Sequence, residues 1–473
     1  MNMTERFDLT IIGCGPAGYS AAVRAARLGM KTACIDRSAR LGGVCLNVGC
    51  IPSKALLDSS EVYELAAGKM KAHGVITDGV RLDLPTLMAR KDSVVRELTG
   101  QLRRLLETNR VTILTGEARL IGPNEVEIRT EAEAKRFGTR FVLIATGSRP
   151  VELPMIPFDG STVVDSTGAL SFSEVPKRLA VIGGGAIGLE LGSVWRRLGA
   201  EVTVIELMPQ IVPNMDGQIA RTLKRILGKQ GMQFFTNTKL TAATVHDGEV
   251  ELQLEEDGKP KSLVVDKVLV GVGRTPNMEG IGLEELGVAV DAATRRIVVD
   301  AHLQTTVSGI YAAGDVVAGP MLAHKAMAEG VAAVEAMAGQ EPDLDYNLVP
   351  SVVYTSPEVA SVGYTEEWLK AKGSAYVTGV FPYGGNGRAW CAGETEGIAK
   401  IIAHAATGRI LGVHLLGPRA SDIVMEGVLA IRSGLTMQEV MSTVHAHPTF
   451  SEAVVEAAGL AAAQAGKTKP QPK

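Results

Sequence analysis

Five cysteines in a chain of 473 residues are too few for a disulfide framework, so the fold must rest on buried apolar cores, and a reducing compartment is expected. Long hydrophobic runs are missing too: no apolar stretch reaches the ~18 residues that a membrane-spanning helix needs. Neither sign of charge dominates. The formal net charge is −4, which gives no reason to expect nucleic acid or an anionic membrane as partner. The opening "MNMTERFDLTIIG" passes from a few polar residues straight into a strand, without the basic region, apolar core and cleavage site of a secretory leader. On that reading the chain is expected to be cytoplasmic. Hydrophobic residues make up 46% and charged residues 21%, the balance of a soluble globular protein. The length suggests about three domains.

What is present is an internal echo. "DLTIIGCGPAGYSAAVRAARLGMKTACID" covers residues 8–36, and "RLAVIGGGAIGLELGSVWRRLGAEVTVIE" covers residues 178–206. Each opens with an apolar strand, passes through G-x-G-x-x-G, continues as a helix that ends at Gly29 or Gly199, and closes with a second strand ending in Asp36 or Glu206. A lone glycine fingerprint is weak evidence; two copies with strand, helix and terminal acid in the same register point to two dinucleotide-binding βαβ units. Gly13 and Gly183 allow the tight turn. Gly15 and Gly185 let backbone approach a pyrophosphate, and Gly18 and Gly188 let helix pack on strand. The helix N-terminus offers unpaired N–H groups to phosphate, and the carboxylates of Asp36 and Glu206 suit ribose hydroxyls.

Two further strands run into glycine turns, "FVLIATGSRP" with Gly147 and "VLVGVGRTPN" with Gly273, and read as the ends of the two nucleotide domains. "GIYAAGDV" gives a short strand, a turn and Asp315. Segments 320–338 and 421–434 read as helices. Residues 350–460 mix strands and helices without a fingerprint and read as a separate domain. The polar tail "GKTKPQPK" reads as disordered.

The stretch "GGVCLNVGCIPSK" sets Cys45 and Cys50 five positions apart. A metal site, a structural disulfide and a redox dithiol compete for it. Cys14, Cys34 and Cys391 are scattered along the chain and the nearest histidine is His73, so metal is disfavoured and no metal ligands are assigned. In an ideal helix the two Cα atoms would stand ~8.7 Å and ~140° apart, beyond the ~7 Å reach of a disulfide. A bond between them therefore requires a departure from ideal helix, which Gly49 can supply. Sulfurs near a helix N-terminus would also have a lowered pKa, which suits a reactive dithiol.

With "GGVCLNVGCIPSKALL" (42–57), the two fingerprints, "YAAGD", "YTSPEVASVG" (354–363) and "HAHPTFSE" (445–452) in this order, the chain resembles the pyridine nucleotide–disulfide oxidoreductases over nearly its whole length. Within that family it stands nearest to the branch that oxidises dihydrolipoyl groups. The resemblance implies FAD on the first βαβ unit and NAD on the second, with Asp315 contacting the flavin's ribityl–phosphate region. It implies Cys45 as the interchange thiol, Cys50 as the thiol against the flavin, and His447, the histidine before the proline, as base, with Glu452 holding its other nitrogen. Lys54 and Glu190 would form an ion pair near the flavin. A homodimer is implied, with His447 supplied by the other subunit, and so is a lipoyl-bearing protein of a multienzyme complex as partner. Two positions depart from the family: Val44 stands where Thr is usual and Asp36 where Glu is usual. After Glu206 comes "LMPQ", with no arginine for a 2′-phosphate, which favours NAD over NADP.

The expected fold class is α/β: two Rossmann-like dinucleotide-binding domains plus a C-terminal α+β dimerisation domain. The expected boundaries are 1–150 for the FAD domain, 151–275 for the NAD domain, 276–349 for a central domain completing the FAD site, and 350–473 for the interface domain.

Overall fold

The computed structural model describes residues 6–468. Residues 469–473, most of the tail read as disordered, lie outside them. The chain forms two compact units. One comprises the residues up to Leu56 with Asp83–Val151 and Gly273–Tyr346, and the other comprises Leu57–Leu82, Glu152–Val272 and the residues from Asn347 onward.

The first unit is built on β1 (Arg6–Ile12), α1 (Pro16–Arg27) and β2 (Thr32–Asp36), followed by α2 (Gly43–Val48), the first residues of α3 (Cys50–Ala67), whose remainder from Leu57 is counted with the second unit, and α4 (Leu84–Thr108). Short strands β3 (Thr112–Thr115), β4 (Glu117–Gly122) and β5 (Glu125–Arg129) lead to the long β6 (Ala134–Ile144). The sheet order is β3-β2-β1-β6-β5-β4, and strand Ile310–Ala312 pairs with β6. Strands β1, β2, β3 and Ile310–Ala312 are parallel to their neighbours, with Leu9 opposite Thr32 and Phe141. The antiparallel β5 and β4 continue from the first half of β6. A parallel sheet is covered on both faces, so its strands are apolar almost throughout. Leu9, Ile11 and Leu143 face a core with α1, and Phe7, Ile12, Val142 and Ile144 face the other.

The second unit repeats the plan. Strands Gln233–Phe235, Glu201–Ile205, Arg178–Ile182, Lys267–Val270 and Val163–Val164 lie side by side in that order, all parallel, with helix Ala186–Arg197 as the crossover. A three-stranded antiparallel sheet covers Thr238–Val265. From Ser351 the chain changes character. Five antiparallel strands, in the order Ser351–Val353, Glu358–Gly363, Ile410–Gly417, Ile398–His404 and Tyr376–Pro382, carry helices Ala420–Arg432 and Glu452–Thr468. The architecture is thus α/β with two Rossmann-like sheets and a C-terminal α+β portion, as read from the sequence. The two helices expected at 320–338 and 421–434 are present as Ala323–Met337 and Ala420–Arg432.

Helix Glu452–Thr468 seats directly on the strand beneath it at Gly379. A Cβ there would stand 1.9 Å from the Ala457 carbonyl oxygen and 2.4 Å from the Ala461 nitrogen, both rigid backbone. Gly379→Ala should therefore destabilise the protein at the upper end of the about 1–3 kcal/mol typical of overpacking, read as a lower thermal midpoint. An unchanged midpoint would refute this packing.

Candidate active site

The glycines of both fingerprints have distinct physical tasks. Gly13 and Gly183 have φ +102° and +105°, and a Cβ on them would collide with the Ala145 and Gly271 carbonyl oxygens at 2.3 and 2.5 Å. A Cβ on Gly18 or Gly188 would fall 1.8 or 2.2 Å from the carbonyl oxygen of the first glycine. The middle glycines differ: a Cβ on Gly185 would meet nothing within 4 Å, and one on Gly15 only Gly43 Cα at 3.8 Å. They leave open space over a helix N-terminus, the cradle a dinucleotide pyrophosphate requires. The residues present therefore fit a dinucleotide such as FAD or NAD on each unit.

The acids that end the second strands are held identically. Asp36 accepts the Cys14 N–H at 2.8 Å and the Ser38 N–H at 2.9 Å. Glu206 accepts the Gly184 N–H at 2.6 Å and the Met208 N–H at 2.7 Å. The shorter Asp36 thus reaches the same pair of backbone donors as Glu206. Gly147 and Gly273 both have positive φ and open space at Cβ.

The cysteine pair lies at a helix break. Helix α2 ends at Val48, Gly49 takes φ −137° and ψ −114°, and α3 begins with Cys50. A Cβ on Gly49 would press against the Val44 carbonyl oxygen at 2.9 Å, so glycine is needed for the break. The Asn47 side chain ties the entry turn, donating to the carbonyls of Leu41 at 3.0 Å and Gly43 at 2.9 Å. Gly43 in turn approaches the first fingerprint: its Cβ would fall 2.7 Å from Gly15 Cα. Both cysteines are thiols here, with Cys50 more exposed than Cys45.

The expectation of a lowered pKa at both sulfurs needs correction at Cys45. Its pKa is raised, first by a hydrogen bond with Cys50 and then by burial, against an opposing pull from Lys54. The hydrogen bond and the burial together favour a protonated Cys45. Cys14 and Cys34, scattered in sequence, prove to be neighbours: both are buried, and their hydrogen bond is the first cause of a raised Cys34 pKa. Tyr19, on α1, is pushed up to about 12 by burial and then by the charges of Cys45, Cys50 and Cys14.

Around Asp315 the structure assembles residues that spacing gave no hint of. Ser148 Oγ donates to the Asp315 carboxylate, and Arg274 donates to Ser148 Oγ at 2.7 Å and to its carbonyl oxygen at 2.6 Å. Lys54 belongs to the same unit, on α3. Glu190 belongs to the other unit, where it is buried and accepts the Tyr354 N–H at 3.0 Å.

His447 also lies in the second unit. Its Nδ1 pairs with Glu452 Oε1 at 2.7 Å, and its side chain is 77% exposed. Among the described residues Nε2 has no protein partner. Glu452, the first residue of its helix, also accepts the Thr449 N–H at 2.8 Å; that bond first, and His447 second, hold its pKa below the usual carboxylate range. Asn386, nearly buried, donates to the Thr449 carbonyl at 2.9 Å and steadies the turn, another contact the sequence does not advertise. His445, the competitor, is engaged elsewhere, with Glu426 at 2.6 Å and the Thr443 carbonyl at 2.9 Å.

Residues 7–330 match the pyridine nucleotide-disulphide oxidoreductase family, and residues 349–458 match the dimerisation domain of the same family. The chain belongs to the pyridine nucleotide-disulphide oxidoreductases. It is 48% identical to dihydrolipoyl dehydrogenase 1, mitochondrial, of Arabidopsis thaliana over 458 residues, 96% of this chain and 90% of that one. Against the mitochondrial dihydrolipoyl dehydrogenases of Rattus norvegicus and Homo sapiens the identities are 48% and 46%, each over 95% of this chain and 89% of the relative. Among solved structures, LpdA from Mycobacterium tuberculosis superposes with a TM-score of 0.88 at 26% identity, covering 96% of this chain and 99% of that one. The HOCl-induced flavoprotein disulfide reductase RclA from Escherichia coli gives 0.84 at 28% identity, covering 96% and 99%. No helix among the described residues is long and apolar enough to cross a membrane. The cytoplasmic expectation draws no support from these relatives, whose names are mitochondrial.

If Cys45 keeps the shared proton because Cys50 accepts it, Cys50→Ala should lower the Cys45 pKa towards an ordinary thiol value. The pH dependence of Cys45 alkylation, followed by peptide mass spectrometry on reduced holoenzyme, should shift to lower pH. An unchanged or higher midpoint would refute proton sharing.

Proposed function

We propose that this enzyme oxidises dihydrolipoyl groups to lipoyl disulfides and reduces NAD to NADH, using FAD, a Cys45–Cys50 redox pair and His447 as base. The observation that carries the reading is the thiol pair itself: two sulfurs in hydrogen-bonding reach across the Gly49 break, in a segment packed on the first fingerprint. The names of relatives at 46–48% identity support the substrate.

In the oxidised enzyme Cys45 and Cys50 form a disulfide. A substrate thiol gives its proton to His447 Nε2, which is available as a lone pair because Glu452 holds the Nδ1–H. The substrate thiolate attacks the Cys45 sulfur. The Cys45–Cys50 bond breaks, and its electron pair stays on Cys50 as thiolate. The second substrate thiol then passes its proton to the departing Cys45 as its sulfur displaces that residue, leaving a cyclic disulfide on the product, and the first proton stays on His447 until it leaves to solvent. The outcome is a protonated Cys45 beside an accepting Cys50, the distribution that the raised Cys45 pKa favours. The flavin, when bound, supplies the two-electron relay from dithiol to nicotinamide. Lys54 and Glu190 are assigned to the surroundings of the flavin, Asp315 to its ribityl–phosphate region, and Gly147 and Gly273 to the nucleotide turns.

The working assembly is a homodimer in which His447 of one subunit serves the cysteines of the other. Its support is the exposure of His447 together with nearby uncovered apolar side chains in the dimerisation domain: Met425 at 47%, Leu429 at 60%, Val444 at 96% and Leu460 at 46%. The partner that delivers substrate is a lipoyl-bearing protein of a multienzyme complex. Either reducing compartment, cytoplasm or mitochondrial matrix, suits the thiols.

His447→Gln should slow reduction of the enzyme by dihydrolipoamide by about 10²–10⁴-fold, while NADH-driven reduction of an artificial acceptor largely survives. A purified mixed dimer of one Cys45→Ser chain and one His447→Gln chain keeps one complete shared site. It should recover close to half of parental activity, whereas both homodimers stay nearly inactive. No recovery in a verified heterodimer would exclude the shared site.

Cofactor choice gives an independent check. The buried Glu206 carboxylate, already fixed by two N–H donors, should repel a 2′-phosphate, so kcat/KM for NAD should exceed that for NADP by at least about two orders of magnitude. Comparable values would overturn the assignment of Glu206.

A further inference from the structure

The turn that presents Asp315 is gripped by charged groups that lie entirely inside the first unit. Lys325 and Glu329 sit one helical turn apart on helix Ala323–Met337, 2.9 Å from each other, and both side chains are 0% exposed. Between them they hold both polar atoms of one residue, Gly314. Its N–H donates to Glu329 Oε2 at 2.7 Å, and its carbonyl accepts from Lys325 Nζ at 2.9 Å. Tyr346 closes the other carboxylate oxygen, donating to Glu329 Oε1 at 2.7 Å. Arg296 takes the next carbonyls of the same turn, Val317 and Gly319. The helix cannot slide away, because at Gly330 it touches α1: a Cβ there would lie 2.2 Å from the Ala17 carbonyl oxygen. Burial alone would drive Lys325 down and Glu329 up in pKa, so each needs the other to stay charged.

A lysine–glutamate pair at i,i+4 on a helix usually faces solvent and contributes little. One buried completely, with its hydrogen bonds spent on a single glycine peptide, has a different task. We propose that Lys325 and Glu329, steadied by Tyr346, are positioning residues for FAD that act through the Gly314 peptide to fix the Asp315 carboxylate over the first fingerprint. Retention of FAD is then set by a buried ion pair as well as by the groups that meet the cofactor. The proposal rests on the reading of Asp315 as a flavin contact.

The experiment measures FAD release from holoenzyme, by recovery of free-flavin fluorescence on dilution, beside the thermal midpoint at saturating FAD. Asp315→Asn alone tests the underlying reading: unchanged release would remove Asp315, and with it this proposal, from the FAD site. Lys325→Met should speed release by about tenfold or more, the scale of a lost charged hydrogen bond. The double variant Lys325→Met/Glu329→Leu replaces the pair by apolar groups of similar size and should recover much of the midpoint. A positioning role predicts that its FAD release stays fast. A merely structural role predicts that retention returns with stability, which would overturn the proposal. Coupling gives the second arm. In the Lys325→Met background, Asp315→Asn should add clearly less to the release rate than it does in the parent, and full additivity would also overturn it. If Lys325→Met does not fold, Tyr346→Phe removes one bond and should still speed release severalfold; no change would count against the clamp.

Discussion

The whole first unit depends on backbones meeting without side chains at the N-terminal end of α1. Three other segments converge there. Gly13 lies on the Ala145 carbonyl, Gly18 on the Gly13 carbonyl, Gly43 on Gly15 Cα, and Gly330 on the Ala17 carbonyl, all at distances that a Cβ would forbid. These contacts tie together β6, the dithiol segment and helix Ala323–Met337 around one helix terminus. A helix terminus is where orphan N–H groups and the positive end of the dipole collect. The same close packing that leaves no room for side chains therefore brings the cysteine-bearing segment and the helix behind the Asp315 turn to a helix terminus that favours a dinucleotide phosphate.

The second fingerprint uses the same geometry for a different end. Its glycines collide with equivalent carbonyls, and its terminal acid takes the equivalent pair of N–H donors. The difference lies in what packs beside the turn. In the first unit Gly43, at the start of the cysteine-bearing segment, approaches the middle glycine; in the second nothing lies within 4 Å of a Cβ on Gly185. One βαβ plan thus gives two kinds of surroundings, and the added helices α2 and α3 bring a thiol pair to the first unit.

Both βαβ units and the acids that end them were legible in the sequence, because they depend on local spacing: a glycine three residues from another on a helix start has few alternatives. The break at Gly49 was legible for a negative reason, since an unbroken helix would hold the sulfurs too far apart. What spacing could not reveal depends on tertiary approach. Cys14 and Cys34 are far apart along the chain and meet only because β1 and β2 are parallel neighbours. Lys325 and Glu329 resemble a solvated helix pair until the Gly314 turn covers them. Arg274 and Ser148 meet across two short antiparallel strands, and Asn386 reaches Thr449 from a different helix. The helix-dipole argument for low thiol pKa failed at Cys45 because a partner sulfur at hydrogen-bonding distance, together with burial, outweighs a partial charge.

That failure bears on how the chemistry is divided. Two thiols in contact and partly buried cannot both ionise readily, because the second negative charge would face the first at short range in a poorly screened site. The raised Cys45 pKa fits one thiol of the pair staying protonated, with Lys54 as the cation that opposes the rise. Reducing a disulfide with a dithiol nonetheless releases protons, and any proton the sulfurs do not keep must leave through another group. A buried base would have to desolvate its own cation to take it. In the proposed mechanism His447 avoids that penalty, because its carboxylate partner Glu452 stabilises the imidazolium through Nδ1. The contrast between a partly buried Cys45 and a carboxylate-backed imidazole is the one the proposed chemistry needs: one proton stays with the thiol pair, and the histidine would take up the other.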